Sequence, residues 1–257
     1  QEIAVRAGTM GAITSRHNPL FKALLNMRKD RGVMLMEGRR LVEDALSRGC
    51  VPRSIAATAA FIDGCHLAVK PQAVLSESLL ADLTDTETPQ GILGFFEVPW
   101  ARVDDIVKED RVVILDGLQD PGNVGTIVRT AEAFGFTAML IMPTTASPFS
   151  AKAVRASMGS CLGIRIARGG VGEAKRLPHR ILALAPGDGT ALCPSLFKGK
   201  TAVCLGQEAA GVSREVLAIA HETVRIPMTG RTESLNVAVA AGIVMACAAG
   251  VFDPPSC

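Results

Sequence analysis

Three short polar segments beyond residue 110 carry side chains that could bind and transform a small molecule. They are residues 115–130, 203–212 and 226–238, each beside an apolar run. Their chemically useful side chains are Asn123, Arg129, Glu208, Ser234 and Asn236. Glycines in the same segments lack a Cβ, so the backbone can approach a ligand closely. Close backbone contact together with a few polar groups is typical of a small-molecule pocket.

The elements around these segments alternate between strands and helices from Arg111 onward. Apolar runs predict strands at 112–115, 138–142, 161–167, 181–184, 202–205 and 224–226. Helices are predicted at 126–134, 151–158 and 236–250, the last apolar nearly all round and therefore buried. The alternation predicts an α/β fold with a parallel sheet covered on both faces. Ligands bind such sheets at the carboxyl ends of the strands, where all three polar segments fall.

The first 100 residues are organised differently. Apolar spacing predicts helices within 18–48, the second of them from 38 to 46, and part of a strand at 93–96. A charged stretch from 99 to 110 then predicts a linker. We therefore expect two domains, a smaller α/β module over 12–99 and a larger domain over 109–257. Residues 1–10 are expected to form a tail, with Met10 as a candidate native start.

Charge is unevenly distributed along the chain, although the formal net charge is only +2. Residues 14–53 contain nine Lys or Arg and four Asp or Glu, an excess of +5. Residues 54–100 contain one Lys or Arg and six Asp or Glu, a net charge of −5. A basic N-terminal surface could contact the phosphates of a nucleic acid. The alternative is a solvated helix surface without a partner.

The composition points away from metal sites, disulfides and membranes. The seven cysteines never occur at C-x-x-C spacing, and the four histidines are far apart. No N-terminal apolar stretch has the length of a signal peptide. The longest low-charge segment, 237–252, is shorter than the roughly 20 residues that span a bilayer. We expect a cytoplasmic protein without a metal ion and without a membrane span.

Each polar segment taken alone could be an ordinary turn, because Gly and Asn are common turn residues. Three of them at strand ends of one domain favour a site. Neither G-x-x-x-x-G-K-[ST] nor a strand-to-helix G-x-G-x-x-G occurs, which argues against a nucleotide-dependent oxidoreductase. Arg129 lies within two turns of Asn123 and can project toward the same site. Glu208 could be a catalytic carboxylate or a structural acceptor of backbone N–H groups.

In order and spacing, the three segments resemble the motifs of the SpoU (TrmH-type) RNA ribose 2′-O-methyltransferase family of the SPOUT superfamily. The matching residues are 120–125 with Arg129, 205–208 with Gly211, and 226–228 with 234–237, to which 152–159 adds a further family segment. This resemblance extends over about residues 111–250. The N-terminal part is similar to the ribosomal-protein-like RNA-binding domain that often precedes this catalytic domain. That likeness is carried by residues 15–19, 36–38 and 89–91.

The resemblance implies S-adenosylmethionine as cofactor, an RNA substrate with ribosomal RNA favoured over transfer RNA, a homodimer and a C-terminal trefoil knot. The catalytic residues that it implies are Arg129, Asn123, Glu208, Ser234 and Asn236. The cofactor-binding residues that it implies are Leu205, Gly206, Gly211, Ile226, Met228, Leu235 and Val237. One departure is the loop 207–211, because many relatives have a small residue before the glutamate and a glycine after it.

The resemblance also implies roles for these side chains in activating a ribose hydroxyl. A guanidinium is almost always protonated, so Arg129 could hold a phosphate and stabilise a developing oxyanion rather than remove a proton. Asn123, Ser234 and Asn236 could orient the ribose and the loops, and Glu208 could position Arg129. A base methyltransferase on the same knotted fold is one rival, which the Ser-Leu-Asn triplet disfavours. A catalytically silent RNA-binding protein is the other, which the intact polar set disfavours.

Overall fold

The computed structural model describes residues 11–64, 69–208, 210–232 and 234–251. The chain divides into two compact units, Gln1–Val98 and Pro99–Cys257. The tail predicted at 1–10, and Ala209 within the divergent loop, lie outside the described residues.

The first unit is an α/β module built on a four-stranded sheet. Its helices are α1 (Pro19–Lys29), α2 (Arg39–Ser47), α3 (Ala59–Gly64) and α4 (Glu77–Ala81). Its strands are β1 (Val33–Glu37), β2 (Pro52–Thr58), β3 (Ala73–Leu75) and β4 (Ile92–Glu97), in the order β1-β4-β2-β3. Phe21 and Leu24 of α1 pack against Leu35, Leu93 and Phe95 of the sheet to form the core.

The first strand, β1, differs from the sequence prediction, which places only helices between 18 and 48. Helix α1 ends at a turn in which the Gly32 N–H donates to Asp30 Oδ1 at 2.8 Å. The apolar run that follows then pairs antiparallel with β4, from Val33 opposite Glu97 to Glu37 opposite Leu93. A distant strand therefore decides the conformation of this run, because short apolar segments fit either a helix or a strand.

The second unit contains a seven-stranded sheet in which all strand pairs are parallel, as predicted. Its strands are β5 (Arg111–Asp116), β6 (Ala138–Ile141), β7 (Arg165–Arg168), β8 (Arg180–Leu184), β9 (Thr190–Ala191), β10 (Thr201–Gly206) and β11 (Glu222–Arg225). They lie in the order β7-β6-β5-β10-β8-β11-β9. Its helices are α5 (Val103–Ile106), α6 (Pro121–Ala133), α7 (Ala151–Ser157), α8 (Val171–Arg176), α9 (Arg214–Leu217) and α10 (Val237–Ala248).

Helix α6 begins earlier than the sequence pattern predicts. The Asp120 carboxylate accepts the Asn123 N–H at 3.2 Å, and Pro121 occupies the first turn, where its missing N–H costs nothing. Asn123 therefore belongs to the first turn of a helix rather than to a loop. This placement fixes the direction of its side chain more tightly than a loop would.

The predicted strand at 161–167 is wrong in its first half. Residues Ser160–Leu162 form a 3-10 turn, and strand β7 begins only at Arg165. Gly159 at φ 87° and Gly163 interrupt the apolar run on both sides of this turn.

Packing of helix α10 against helix α6 brings together two of the predicted site residues, Asn123 on α6 and Asn236 at the start of α10. Helix α10 is buried over most of its length, as predicted, and it packs against α6. Helix α6 also packs closely on α7. The approach is so close that a Cβ at Gly125 would lie 2.4 Å from the Ala153 carbonyl oxygen. Among the described residues, no helix is both long and apolar enough to cross a membrane.

His179 is a buried titratable group at the opposite, amino end of the sheet. Its Nε2–H donates to the Glu109 carbonyl oxygen at 2.7 Å, and the Lys200 ammonium donates to carbonyl groups of the same turn. Burial lowers the pKa of His179 below its usual range, and the charge of Lys200 adds to this effect. Folding therefore favours the neutral form of this imidazole.

We expect the free energy of unfolding to fall as the pH is lowered below about 6.5, the pKa of an unfolded histidine. In that range the unfolded chain binds a proton that the folded chain does not bind, so acid favours unfolding. The loss ends once the pH reaches the lowered pKa of the folded state. Urea titrations at a series of pH values, followed by Trp100 emission, measure this dependence.

His179→Gln is the matched variant, because its amide can still donate to Glu109 but does not titrate. Its stability should depend less on pH than that of the unmodified protein, and the two should be most similar near about pH 8, where both side chains are neutral. Identical pH dependence in the two proteins would contradict this role for His179.

Candidate active site

The three polar segments meet at the carboxyl edge of the parallel sheet. Strands β5 and β10 are neighbours, with Asp116 opposite Gly206 at their carboxyl ends, and the first two segments follow them. The third segment follows β11, which runs parallel on the far side of β8. The predicted placement of all three segments at strand ends is confirmed.

The Asn123 side chain connects all three segments. Its Nδ2 donates to Glu208 Oε1 at 2.7 Å, and its Oδ1 accepts from Asn236 Nδ2 at 3.2 Å. Asn236 Oδ1 accepts the Ala238 N–H at 2.9 Å and so caps helix α10. An ionised carboxylate only accepts, so Glu208 fixes the orientation of the Asn123 amide, which in turn fixes that of Asn236.

The loop that carries Glu208 is closed by backbone hydrogen bonds at its base. Gln207 and Gly211 exchange N–H···O bonds of 3.0 and 2.9 Å. Gly211 has φ 70°, and a Cβ on Gly206 would lie 2.1 Å from the Gly211 carbonyl carbon. Both glycines are therefore required by the shape of the loop. They hold the Glu208 carboxylate near α6.

Asp116 is a supporting residue that the sequence analysis does not single out. It is buried, and its Oδ2 accepts the Ser213 N–H at 2.7 Å, which joins the end of β5 to the segment after the Glu208 loop. A carboxylate that ends an apolar strand directly before a glycine is a sequence signal for such a role. Thr145 Oγ1 likewise accepts the Gly117 N–H at 2.8 Å, but its separation along the chain leaves no local signal.

Asp120 and Lys152 form an ion pair beside the first segment, with Lys152 Nζ 2.6 Å from Asp120 Oδ1. The hydrogen bond from Lys152, followed by backbone N–H groups of α6, holds the pKa of Asp120 below its usual range. Lys152 belongs to the additional segment 152–159 and lies on α7. The pair therefore links α7 to the start of α6.

Arg129 lies on α6 and is exposed. Within the part of the chain that the structure describes, its side chain makes no hydrogen bond or ion pair. The Glu208 carboxylate accepts from Asn123 rather than from Arg129 in this structure. The guanidinium is therefore available to an incoming anionic ligand.

The other predicted site residues divide into supporting and exposed ones. Leu205, Gly206 and Val237 are buried beneath the edge, and Ile226 is half-buried. Met228 and Leu235 are apolar and yet 40% and 37% exposed, and Ser234 is exposed between Leu235 and the undescribed Glu233. Exposed apolar side chains next to a polar network are what a partly apolar ligand requires.

The segment 226–232 offers backbone groups as well as side chains. Among the described residues, none of its N–H groups donates to a backbone acceptor, and most of the segment is exposed. No group of three or more His, Cys, Asp or Glu side chains in the described residues could hold a metal ion. The site can therefore bind a polar organic ligand through backbone and amide groups.

Comparison with known proteins gives the class to which this chain belongs. The family model of the SpoU rRNA methylase family matches residues 110–246. The model of the MRM3-like substrate binding domain matches residues 23–94. The chain belongs to the SpoU rRNA methylase family, as the resemblance predicts.

Relatives cover almost the whole chain. The chain is 32% identical over 229 residues to the 23S rRNA (guanosine(2553)-2′-O)-methyltransferase RlmP of Bacillus subtilis. The matching region covers 86% of this chain and 91% of that protein. The AdoMet-bound rRNA methyltransferase from Sinorhizobium meliloti matches with a TM-score of 0.80 and 28% identity over 96% of this chain and 100% of that one. The SpoU methyltransferase AviRb from Streptomyces viridochromogenes matches with a TM-score of 0.76 and 25% identity over 90% and 96%. These neighbours confirm the predicted α/β fold with a parallel sheet and a preceding substrate-binding domain.

Asn123→Asp tests the central amide, because it keeps the shape but places a second carboxylate against Glu208. Repulsion raises the pKa of one of the two acids, and a protonated acid can donate the lost hydrogen bond again. We expect methyl transfer to an RNA substrate to fall about 10- to 100-fold near neutral pH, the value of a hydrogen bond to a charged group. Part of the loss should be recovered as the pH is lowered.

Asn123→Ala serves as the control, since it removes the hydrogen bonds without adding a titrating group. Its activity should be low at every pH, relative to the unmodified protein at the same pH. An Asn123→Asp variant as active as the unmodified protein at neutral pH would show that the amide does not organise the site.

Proposed function

We propose that this protein transfers a methyl group from S-adenosylmethionine to the ribose 2′-hydroxyl of a ribosomal RNA nucleotide in the cytoplasm. The observation that carries the proposal is the Asn123–Glu208–Asn236 network at the carboxyl edge. Arg129 lies on α6 with Asn123, and it has no ion pair among the described residues. The ribose assignment is supported by the 2′-O specificity in the name of the B. subtilis relative, and the cofactor by the AdoMet-bound S. meliloti neighbour.

The residues at the edge fit S-adenosylmethionine. The N–H groups of 226–232, which reach no backbone acceptor among the described residues, suit the polar atoms of the adenosine and the amino acid portion. Met228 and Leu235 can cover the adenine faces, and Gly206 and Gly211 keep the second loop close without side chains in the way. When bound, the cofactor supplies an electrophilic methyl group.

Arg129 has the central role in our proposal for the chemistry. A ribose hydroxyl becomes a good nucleophile only as its proton leaves, so negative charge develops on its oxygen. The exposed guanidinium can hold the adjacent phosphate through paired N–H donors and stabilise this charge. Asn123, Asn236 and Ser234 orient the ribose and the loops, and Glu208 acts by positioning Asn123.

The first unit, over about residues 12–99, recruits the RNA, and the unit over 109–257 performs the chemistry. The structure reduces the number of basic residues that can contact RNA, because carboxylates pair with five of the nine basic residues of 14–53. These are Arg16, Arg28, Arg39, Arg48 and Arg53. Four exposed residues have no ion pair within the described part of the chain: Lys22, Lys29, Arg31 and Arg40. These four are the candidates for contacts with phosphates.

A homodimer formed through α10, and a knotted C-terminal segment, complete the proposal. Val239 is 52% exposed in the first turn of the apolar helix α10, and Gly242 and Ile243, one turn further along, are half-buried. An exposed apolar stripe on an apolar helix is typical of a subunit interface. A trefoil knot would carry the third segment past the first and second, where Asn236 contacts Asn123.

Arg129→Ala should retain the fold and cofactor affinity and lose turnover about 100- to 1000-fold, the range for removing one stabilising donor from a developing oxyanion. Arg129→Lys should also be poor, since an ammonium cannot reproduce the planar fork. Arg214→Ala, which removes another exposed arginine of the same unit, should remain active. Methyl transfer to 23S rRNA transcripts and calorimetry with S-adenosylmethionine measure both properties.

The product distinguishes ribose from base methylation. Methylation of the 2′-hydroxyl removes the internal nucleophile of strand cleavage, so the modified linkage should resist mild alkali, and mass spectrometry should place the methyl group on the sugar. A methyl group on the base would favour the rival base methyltransferase. Near-normal turnover in Arg129→Ala would exclude the proposed role of this residue.

Val239→Asp should convert the dimer into a monomer, because a carboxylate would be buried in an apolar interface. Val51→Asp, the same change at a 79% exposed position of the first unit, is the control and should leave the mass unchanged. Light scattering at micromolar concentration gives the mass, and thermal unfolding checks that both variants are folded. A dimer that survives Val239→Asp would place the interface elsewhere.

A further inference from the structure

A cluster of Trp100, Arg168 and Phe149 lies outside the site described above. The Arg168 guanidinium carbon is 3.9 Å from the centre of the Trp100 ring, within the range of a cation–π contact. The Phe149 ring meets the Trp100 ring edge-on, with centroids 4.8 Å apart. The indole is thus held between an aromatic edge and a planar cation.

This cluster lies on the same edge of the sheet as the active site. Arg168 ends β7 and stands in register with Ile141 of β6, which is in register with Leu115 of β5. Arg168 is therefore two strands, or about 10 Å, from the carboxyl end of β5. Ala101 pairs with Ala167 as an added parallel bridge, which places Trp100 at the outer border of the sheet.

Arg168 differs from the other arginine of its strand. Arg165, at the amino end of β7, pairs with Glu109 at 2.5 Å. Within the described residues, Arg168 has no carboxylate partner, and it remains exposed although it covers the indole. The outer face of its guanidinium is therefore open to solvent.

Between this cluster and the active site lies a continuous set of contacts. Phe149 directly precedes Ser150, which caps α7, and Lys152 of α7 pairs with Asp120 at the start of α6. Lys152 is exposed and can also face a phosphate. Arg168 and Lys152 therefore offer two exposed cations to a nucleic acid strand that follows this edge.

We propose that Trp100 and Arg168 form a stacking platform for an unpaired nucleobase of the RNA, next to the nucleotide that is methylated. The inference rests on the proposed function. Single-stranded RNA is recognised by stacking of splayed bases on aromatic rings and on guanidinium planes, and Arg168 presents such a plane already fixed by the indole. The second face of the guanidinium binds the base, and its charge suits the neighbouring phosphate.

The experiment uses the full chain with an unmodified 23S rRNA transcript and with a single-stranded 20-nucleotide oligoadenylate. Trp100 is the one tryptophan and the chain contains no tyrosine, so its emission reports on this cluster alone. We expect both RNAs to change the emission of the unmodified protein. Arg168→Ala and Arg168→Lys should weaken RNA binding about 10-fold, the order of magnitude for one stacked base, because neither keeps the plane.

Steady-state kinetics separate RNA binding from a structural role. In both Arg168 variants the KM for the transcript should rise, while kcat at saturating RNA and the affinity for S-adenosylmethionine stay close to those of the unmodified protein. Arg165→Ala removes the same charge from the same strand and should leave the KM unchanged.

Two results would overturn the proposal and are distinguishable. If the unmodified protein methylates the transcript and Arg168→Ala has the same KM with only a lower melting temperature, the cluster merely fastens residues 99–101 to the sheet. If the unmodified protein neither binds nor methylates any RNA, the proposed function itself fails, and this platform fails with it.

Discussion

The site depends on one side-chain amide, that of Asn123. Its two hydrogen bonds join the segments after three different strands, and each partner is fixed by a second constraint. Glu208 sits on a loop closed by the Gln207–Gly211 pair, and Asn236 caps a buried helix. Because an amide has one donor end and one acceptor end, only one orientation satisfies both neighbours. The loops on which ligands would bind are thus held in one arrangement.

The close approach of backbone segments makes this arrangement possible. A Cβ at Gly206 would collide with the backbone of the Glu208 loop, and one at Gly125 would push α7 away from α6. Asp116 then joins the base of the Glu208 loop to β5 through the Ser213 N–H. Arg129 is exposed on α6, the helix that carries Asn123, and within the described part of the chain it has no ion pair. In the proposed mechanism, a rigid support for this helix lets the cation act without reorganisation.

Electrostatics in the first unit show how a sequence-level charge excess changes in three dimensions. The excess of +5 over residues 14–53 suggests a broad basic surface. Ion pairs such as Arg16–Asp82 and Arg53–Glu97 join this stretch to the acidic residues that follow it. Fewer of its cations therefore remain without an ion pair in the described part of the chain. Exposed ion pairs contribute little to stability, so their main effect is on where an anionic partner can bind.

By itself the sequence determined the parallel α/β class, the position of the three polar segments at strand ends, and the family, because apolar periodicity and motif spacing are local properties. It missed β1, whose conformation depends on pairing with β4, and it began α6 too late, because the Asp120 cap precedes the apolar pattern. Only the tertiary structure decided that Glu208 forms its hydrogen bond with Asn123 rather than with Arg129. The cation–π contact between Arg168 and Trp100 was likewise decided only there. These contacts join residues that are distant in the chain, and their geometry is set by the register of the strands between them.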